Sequence, residues 1–374
     1  MCSNQLSSRL AARLGQLPHN VLADLAARLC SDSPALQITA EECIAAHNPL
    51  PHEMVERVLL SPDLMPHILG PLEAEDTAAS AVCSQWRAGW KATNEPRRRL
   101  KQVPLDIPEE LVSFDLQMAT TPDGRLVVSA GEKVHILDRS MRVLQTVPGK
   151  YGGPLAASDD SIFYGRQSHA LAALRRSSHD GTVGAEYQLK GYGFFSPVLA
   201  PGGLLFCVSR VQYDDDQDEI IAFDAQTMQL RHRFGLGMLN DAQHLCVVAD
   251  ELYVCDTKNN RLQVFSLTGE HHRSIESEEW DWPHLLCFVK DRLYLVVEGT
   301  FTEHDDDIRL ARHRIIVLSL QGDILQVVMH PTQPIKAMFQ SICCFDHKLL
   351  VSYYYVEEKC PYEEKDGVLA LQGL

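Results

Sequence analysis

A unit of about 40 residues recurs six times beyond residue 104, and it limits this chain to very few folds. Each copy opens on a turn that leads into a β-rich run. The clearest are Pro122-Asp123-Gly124 before Leu126-Val127-Val128-Ser129 and Pro201-Gly202-Gly203 before Leu204-Leu205-Phe206-Cys207-Val208. Ala249-Asp250-Glu251 precedes Leu252-Tyr253-Val254-Cys255, and Lys290-Asp291-Arg292 precedes Leu293-Tyr294-Leu295-Val296-Val297. Weaker copies open at Ser158-Asp159-Asp160 and Phe345-Asp346-His347. A second apolar run follows in every copy, at 134–137, 170–174, 220–223, 262–265, 315–318 and 368–371. Turns at this interval leave no room for helices. A four-stranded unit of this length, repeated radially so that each small sheet is covered by its neighbours, is a β-propeller blade. The last copy reaches Leu374 with three strands, so the stretch 103–112 is expected to supply the fourth and close a six-bladed ring over 104–374.

The first hundred residues have another texture. Apolar positions recur every three or four residues at Val21, Leu22, Leu25 and Leu29, then at Val55, Val58 and Leu59. Thr39 with Glu42 fits a capping box, and Ser61-Pro62 fits an N-cap followed by a first helical residue. Met1–Ala23 lacks the apolar run of a signal peptide, and Leu6, Leu10, Leu14 and Leu17 read as a helix face. The reading is a multi-domain chain, α then all-β: a helical region over 1–48, a second helical segment over 49–103, and the propeller.

Charge divides unevenly. Residues 1–103 hold 10 Lys+Arg and 11 Asp+Glu; the remainder holds 24 and 39, and the whole chain is at −16. Such a balance argues against a general nucleic-acid binder. No window reaches the roughly 18 consecutive apolar residues of a membrane helix. Eleven cysteines, with no C-x-x-C pair, sit mostly in apolar runs, which argues against a disulfide framework or a zinc finger and for a reducing, cytoplasmic or nuclear setting.

Two segments resemble known families. Leu252-Tyr253-Val254-Cys255-Asp256-Thr257-Lys258-Asn259-Asn260-Arg261-Leu262-Gln263-Val264-Phe265, followed by Leu267-Thr268-Gly269, resembles an NHL repeat. Asn259-Asn260 suits a turn with left-handed backbone, Asp256 can accept hydrogen bonds from that turn, and Arg261 can pair with a carboxylate at the blade edge. The resemblance implies a binding platform, with a few lyases and hydrolases among such propellers. The segment Leu60–Trp90 resembles an F-box. It contains Ser61-Pro62-Asp63-Leu64, Ile68-Leu69-Gly70-Pro71-Leu72, and a closing Val82-Cys83-Ser84-Gln85-Trp86-Arg87. That resemblance implies docking on a Skp-type adaptor of a cullin ubiquitin ligase through Leu64, Ile68, Leu69, Val82, Cys83 and Trp86. A small helical bundle beside the propeller would show the same apolar stripe.

The hairpin between the second and third strands reads as long and acidic in three blades. These hairpins are Tyr213–Glu219, Phe301–Ile308 and Val356–Gly367. Asp214, Asp215, Asp216, Asp218, Glu219, Asp305, Asp306, Asp307, Glu357 and Glu358 then share one rim that would attract a basic protein segment. Solvation of loops would explain the same charges. His304 with Asp305–Asp307 matches no defined cation loop, and neither a His-Glu-x-x-His nor a Gly-x-Ser-x-Gly motif occurs. His244 and His284, at similar places in two copies, are the one pair to watch for central-channel metal chemistry. The sequence favours a non-catalytic substrate receptor without cofactor or metal. Its rivals are a binding scaffold without ligase link and a metal-dependent hydrolase or lyase.

Overall fold

The computed structural model describes residues 98–374 except 109–110, 112–115, 132, 149–154, 168–170, 191, 212–213, 299–313, 330–336 and 358–362, together with Ala88. The chain divides into two units, 1–99 and 100–374 with Gly373 aside. Of the helical segment expected over 49–103, Ala88 is helical and Lys101–Val103 is instead a strand of the propeller; the rest of the helical expectations up to 97, and the adaptor-docking residues Leu64, Ile68, Leu69, Val82, Cys83 and Trp86, lie outside the described residues.

The second unit is a six-bladed β-propeller of four-stranded antiparallel sheets. A first strand, β1 (Lys101–Val103), precedes blade 1, which is β2 (Gln117–Thr120), β3 (Leu126–Ala130), β4 (Lys133–Leu137) and β5 (Val143–Pro148). Blade 2 is β6 (Leu155–Ala157), β7 (Ser161–Gln167), β8 (Leu171–Ser178) and β9 (Val183–Lys190). Blade 3 is β10 (Tyr192–Ala200), β11 (Leu204–Val211), β12 (Asp214–Asp224) and β13 (Leu230–Leu239). Blade 4 is β14 (Ala242–Val248), β15 (Glu251–Asp256), β16 (Arg261–Ser266) and β17 (His271–Glu276). Blade 5 is β18 (Asp281–Val289), β19 (Arg292–Glu298), β20 (Arg314–Ser319) and β21 (Ile324–Met329). Blade 6 is β22 (Ala337–Phe345), β23 (Lys348–Glu357) and β24 (Glu363–Gln372), completed by β1 on the far side of β24. The inner strands β2, β6, β10, β14, β18 and β22 touch in ring order, and β22 returns to β2.

The apolar runs are continuous because both faces of each sheet are covered. In β15, Leu252 and Val254 join Phe206, Val208 and Ile220 of blade 3, whereas Tyr253 and Cys255 join Leu293, Leu295 and Ile316 of blade 5. In β19, Leu293, Leu295 and Val297 face blade 4 while Tyr294 and Val296 face blade 6. Each blade junction has its own apolar cluster, six in all. Full burial of one such side chain contributes about 1.5–3 kcal/mol.

Two expectations need correction. The closing strand is Lys101–Val103, paired with Gln372, Leu371 and Ala370, and not 103–112. Pro104 follows at once and offers no N–H to the ladder; Leu105 and Ile107 instead pack their side chains at the junction of blades 6 and 1. The acidic stretches of blades 3 and 6 are largely strand rather than loop. Pairing runs without a shift to Glu357–Glu363 in blade 6, whereas in blade 3 it breaks beyond Ser209–Glu219 and resumes only at Val211–Asp214, leaving Asp215, Asp216 and Gln217 outside the ladder. Their inner strands pair to the same height, from Tyr192 and from Ala337. In blade 6 backbone pairing outweighs the low β-propensity of Glu.

The turns between third and outer strands also lock the ring. Gly181, Gly269 and Gly322 all have left-handed backbone, with φ of 87°, 94° and 97°. Each abuts the outer strand of the preceding blade, on Val147, Phe234 and Ile275 respectively. A Cβ on Gly269 would lie 2.7–2.8 Å from Phe234. Gly269→Ala combines a disfavoured backbone with overpacking and is expected to lower unfolding free energy by about 1–3 kcal/mol in urea titration. Gly202→Ala, whose Cβ meets open space at φ 83°, should cost about 1–2 kcal/mol from the backbone strain alone.

Candidate functional site

Antiparallel order places the second–third hairpins and the connections from one blade to the next on the same end of the disc, called here the upper face. The NHL-like turn of blade 4 organises part of it. Asp256 ends β15 fully buried. Its carboxylate accepts from the Asn240 backbone N–H at 2.8 Å, Asn259 Nδ2 at 3.0 Å and Arg261 Nε at 2.8 Å. The carboxylate that Arg261 was expected to find is thus Asp256 itself, with Glu276 more distant at 3.8 Å. Arg261 also donates to the Met238 carbonyl, and Gln263 turns its carboxamide oxygen to Arg261 and its nitrogen to Ser274 and His271.

The same turn holds the connection from blade 4 to blade 5. After the single 3-10 turn Thr257–Asn259, Asn260 takes left-handed backbone at φ 53°. Its Oδ1 accepts from Trp282 N at 3.0 Å, and its carbonyl accepts from Trp280 Nε1 at 3.4 Å. Thr257 Oγ1 donates to the Pro283 carbonyl at 2.7 Å. One turn therefore fastens two successive blade connections, a role the sequence motif did not disclose.

Asp218 and Glu219 do not join the acidic rim. Asp218 is fully buried, accepts from Arg210 Nε at 3.0 Å and from Ala242 N at 2.5 Å, and so ties blade 3 to blade 4. Burial pushes its carboxyl above the usual range against the pull of Arg210. Arg210 bridges onward to Asp241 at 2.7 Å. Glu219 is buried against Arg233 at 2.7 Å. Asp214, Asp215 and Asp216 lie in β12 and Glu357 in β23; Asp305, Asp306, Asp307 and Glu358 are outside the described residues.

His244 belongs to a third kind of tie. At one register position of the inner strands, a side-chain acceptor takes an N–H from the next blade. Ser196 Oγ accepts from Leu245 N at 3.0 Å, His244 Nδ1 from Leu286 N at 3.3 Å, and Ser341 Oγ from Met118 N at 3.0 Å. Accepting at Nδ1 requires a neutral ring on that nitrogen. Burial, with the His284 imidazole beside it, holds the His244 pKa down to about 4. The signal was present in the sequence as two serines and a histidine at equivalent places, but their different chemistry hid the equivalence.

Among the described residues, no group of three His, Cys, Asp or Glu side chains converges to hold a metal ion, and no helix is long and apolar enough to cross a membrane. The six described cysteines are free. Burial pushes the Cys246 thiol up to about 12 and raises the others as well, which suits thiols that serve as apolar filling.

A family model for the NHL repeat matches residues 239–265, which run from the end of β13 through β16. A sequence search of curated proteins finds no match. Solved structures similar in shape include virginiamycin B lyase from Staphylococcus aureus, at 12% identity and TM-score 0.45, covering 71% of this chain and 88% of that one. Aldose sugar dehydrogenase from Streptomyces coelicolor, in its PQQ-bound form, aligns at 12% identity and TM-score 0.47 over 73% of this chain and 98% of that one. A protein of unknown function from Bacteroides caccae aligns at 13% identity and TM-score 0.44 over 61% and 85%. At such distances the likeness extends to neither ligand nor activity.

Removing the Asp256 carboxylate strands Arg261 and the Asn240 N–H, so Asp256→Ala should cost about 3 kcal/mol in chemical denaturation. The His244 tie carries a pH signature. Its folded-state pKa lies below the ordinary imidazole value of about 6.5, so the unfolded chain takes up the proton first. Stability is full above about pH 6.5 and declines towards pH 4, by on the order of 2 kcal/mol. Glu251, which Arg273 holds down to about 2, loses its own contribution only at lower pH. His244→Ser, the residue used in blades 3 and 6, should keep the bond and flatten the slope of unfolding free energy between pH 6.5 and 4.

Proposed function

We propose that this chain is a non-catalytic protein-recognition subunit whose propeller holds a target on its upper face. The observation that carries this reading is the pair of raised blades. In a ring of six, blades 3 and 6 stand opposite one another; the ladder of blade 6 runs unbroken to Glu357–Glu363, and that of blade 3, after a break beyond Ser209–Glu219, ends on the pair Val211–Asp214. They form two walls across the face, with Asp214–Asp216 and Glu357, Glu363 and Glu364 at their upper ends. A Lys/Arg-rich segment of a protein complements such walls by charge.

The finer part of the proposal assigns the F-box-like segment 60–90 to a Skp-type adaptor, so that the receptor raises the local concentration of its target beside a cullin-type ligase. The motif residues Leu64, Ile68, Leu69, Val82, Cys83 and Trp86 support it. Co-elution of the full chain with a Skp-type adaptor on size exclusion is expected, and Trp86→Ala should abolish it while the propeller stays folded by circular dichroism. Separate peaks with folded protein would refute the ligase assignment and leave the target-binding platform. For that platform, binding of a basic peptide should weaken about tenfold or more from 50 to 300 mM salt, because the Debye length shrinks from about 14 Å to about 6 Å. Affinity that ignores salt would remove the charge argument.

A further inference from the structure

The outer strand of each blade turns one edge away from the ring, and an open edge is a template for a further strand unless its sequence guards it. β1 carries Lys101, β9 carries Glu186 and Lys190, and β17 carries Arg273 and Glu276. β13 carries Arg231 and Arg233, and left-handed Gly235 and Gly237 interrupt its pairing between Phe234 and Leu239. β5 and β21 have no such guard. Val143-Leu144-Gln145-Thr146-Val147 and Ile324-Leu325-Gln326-Val327-Val328 hold no charged residue, glycine or proline. The two are laid out alike, each with its second residue, Leu144 or Leu325, bulged out of the ladder.

The chain itself passes beside β21. Gln326 Oε1 accepts from Leu100 N at 2.9 Å, and Gln326 Nε2 donates to the Leu100 carbonyl at 3.4 Å. β5 is open by comparison. Val143, Leu144, Gln145 and Thr146 are all exposed, Leu144 to 57%, and only Val147 turns inward, onto the Gly181 turn of blade 2. Among the described residues, Val143–Val147 bond only to β4, through the ladder and through Thr146 Oγ1 with His135 Nδ1 at 3.0 Å. Every second residue of such a strand directs its N–H and C=O away from the partner it already has. The surroundings of β5 also depart from the acidic balance of the propeller. Arg139 and Arg142 stand exposed at its lower end; Asp138 pairs with Arg142 at 2.7 Å, and Arg139 has no carboxylate partner among the described residues.

We infer that the edge of β5 over Val143–Val147 is a second interaction surface, which takes up an extended segment of a partner protein as a fifth, antiparallel strand of blade 1. The segment is β-branched along the ladder and bears carboxylates at its C-terminal end. Outward N–H and C=O groups spaced along a strand are matched by another strand, and main-chain bonds of this kind supply affinity that tolerates sequence. Val143, Leu144 and Thr146 offer uncharged neighbours to the side chains of the added strand. β5 runs upward from the lower end, so antiparallel addition sets the C-terminal end of the segment beside Arg139 and Arg142, which select acidic residues there. A basic target of the kind the upper face attracts is repelled by these arginines. The two surfaces therefore take different partners, and this one stands whether or not the upper face binds.

Three capped heptapeptides are titrated into the full chain by fluorescence anisotropy: Val-Thr-Val-Thr-Val-Glu-Glu, the same peptide with proline for threonine, and Glu-Glu-Val-Thr-Val-Thr-Val. Amide hydrogen exchange of Val143–Val147 is followed in the same samples. The first peptide is expected to bind about tenfold or more tighter than the proline peptide, with exchange slowed at alternate amides of β5. It should also bind about threefold or more tighter than the third, whose glutamates lie at the wrong end. Leu144→Glu, at an exposed position, should weaken the first peptide by a similar factor. Equal binding of the first two peptides, binding of neither, or protection confined to another strand would overturn strand addition at β5. Equal binding of the first and third would overturn the assigned polarity and its selection of carboxylates. Protection of β5 that grows with protein concentration without peptide, alongside a doubled mass in light scattering, would overturn the partner segment in favour of a second copy of the chain.

Discussion

Everything in this propeller depends on the fact that a four-stranded sheet with two apolar faces has no stable existence alone. Its strands carry Leu, Val, Ile, Tyr and Phe at consecutive positions, so each blade needs a neighbour on both sides. A linear stack would always leave two faces wet, and closure into a ring is the arrangement that leaves none. The six apolar clusters, one at each junction, are the direct expression of this constraint. Apolar burial is non-directional, however, and does not by itself fix how one blade is turned against the next.

Polar ties between blades supply that direction. Ser196, His244 and Ser341 take an N–H from the next inner strand, which fixes the height of one blade relative to its neighbour near the axis. Asp218 and Asp256 do the same further out, each gripping the connection that leads from blade 3 into blade 4. At the lower end, Gly181, Gly269 and Gly322 bring a turn against the outer strand of the preceding blade. Asp218 and Asp256 are each compensated by an arginine and by a backbone N–H donor, as a charge taken from water requires.

What could be read in advance follows from the range of each interaction. Strand runs, turn positions and the count of six were legible because they depend on neighbours within one copy. The turn at Asp256–Arg261 was legible as a local motif, although its hold on Trp280, Trp282 and Pro283 was not, since those partners lie in the next copy. Asp218 and Glu219 read as part of a charged run with Asp214–Asp216. Only the pairing register shows that the last two of the run pass inside, where Arg210 and Arg233 await them. The closing strand begins two residues before the stretch its apolar pattern suggests, for a similar reason. The apolar pattern of Val103, Leu105 and Ile107 continues past Pro104, while the ladder cannot.

That a closing strand of three residues suffices follows from where blade 6 gains its stability. On one face Leu349, Val351, Leu369 and Leu371 are packed against Tyr294 and Val296 of blade 5. On the other, Leu350, Cys343 and Ala370 meet Leu126 and Val128 of blade 1. Burial of these side chains contributes about 1.5–3 kcal/mol apiece, against a net of about 1 kcal/mol for each hydrogen bond that a longer β1 would add. The faces therefore hold the sheet in the ring, and the outer edge is left with little structural work. Beyond the three residues that β1 covers, the Tyr353 ring over Gly367 helps to keep β24 extended. Shortening the closure at blade 6 thus costs the fold little.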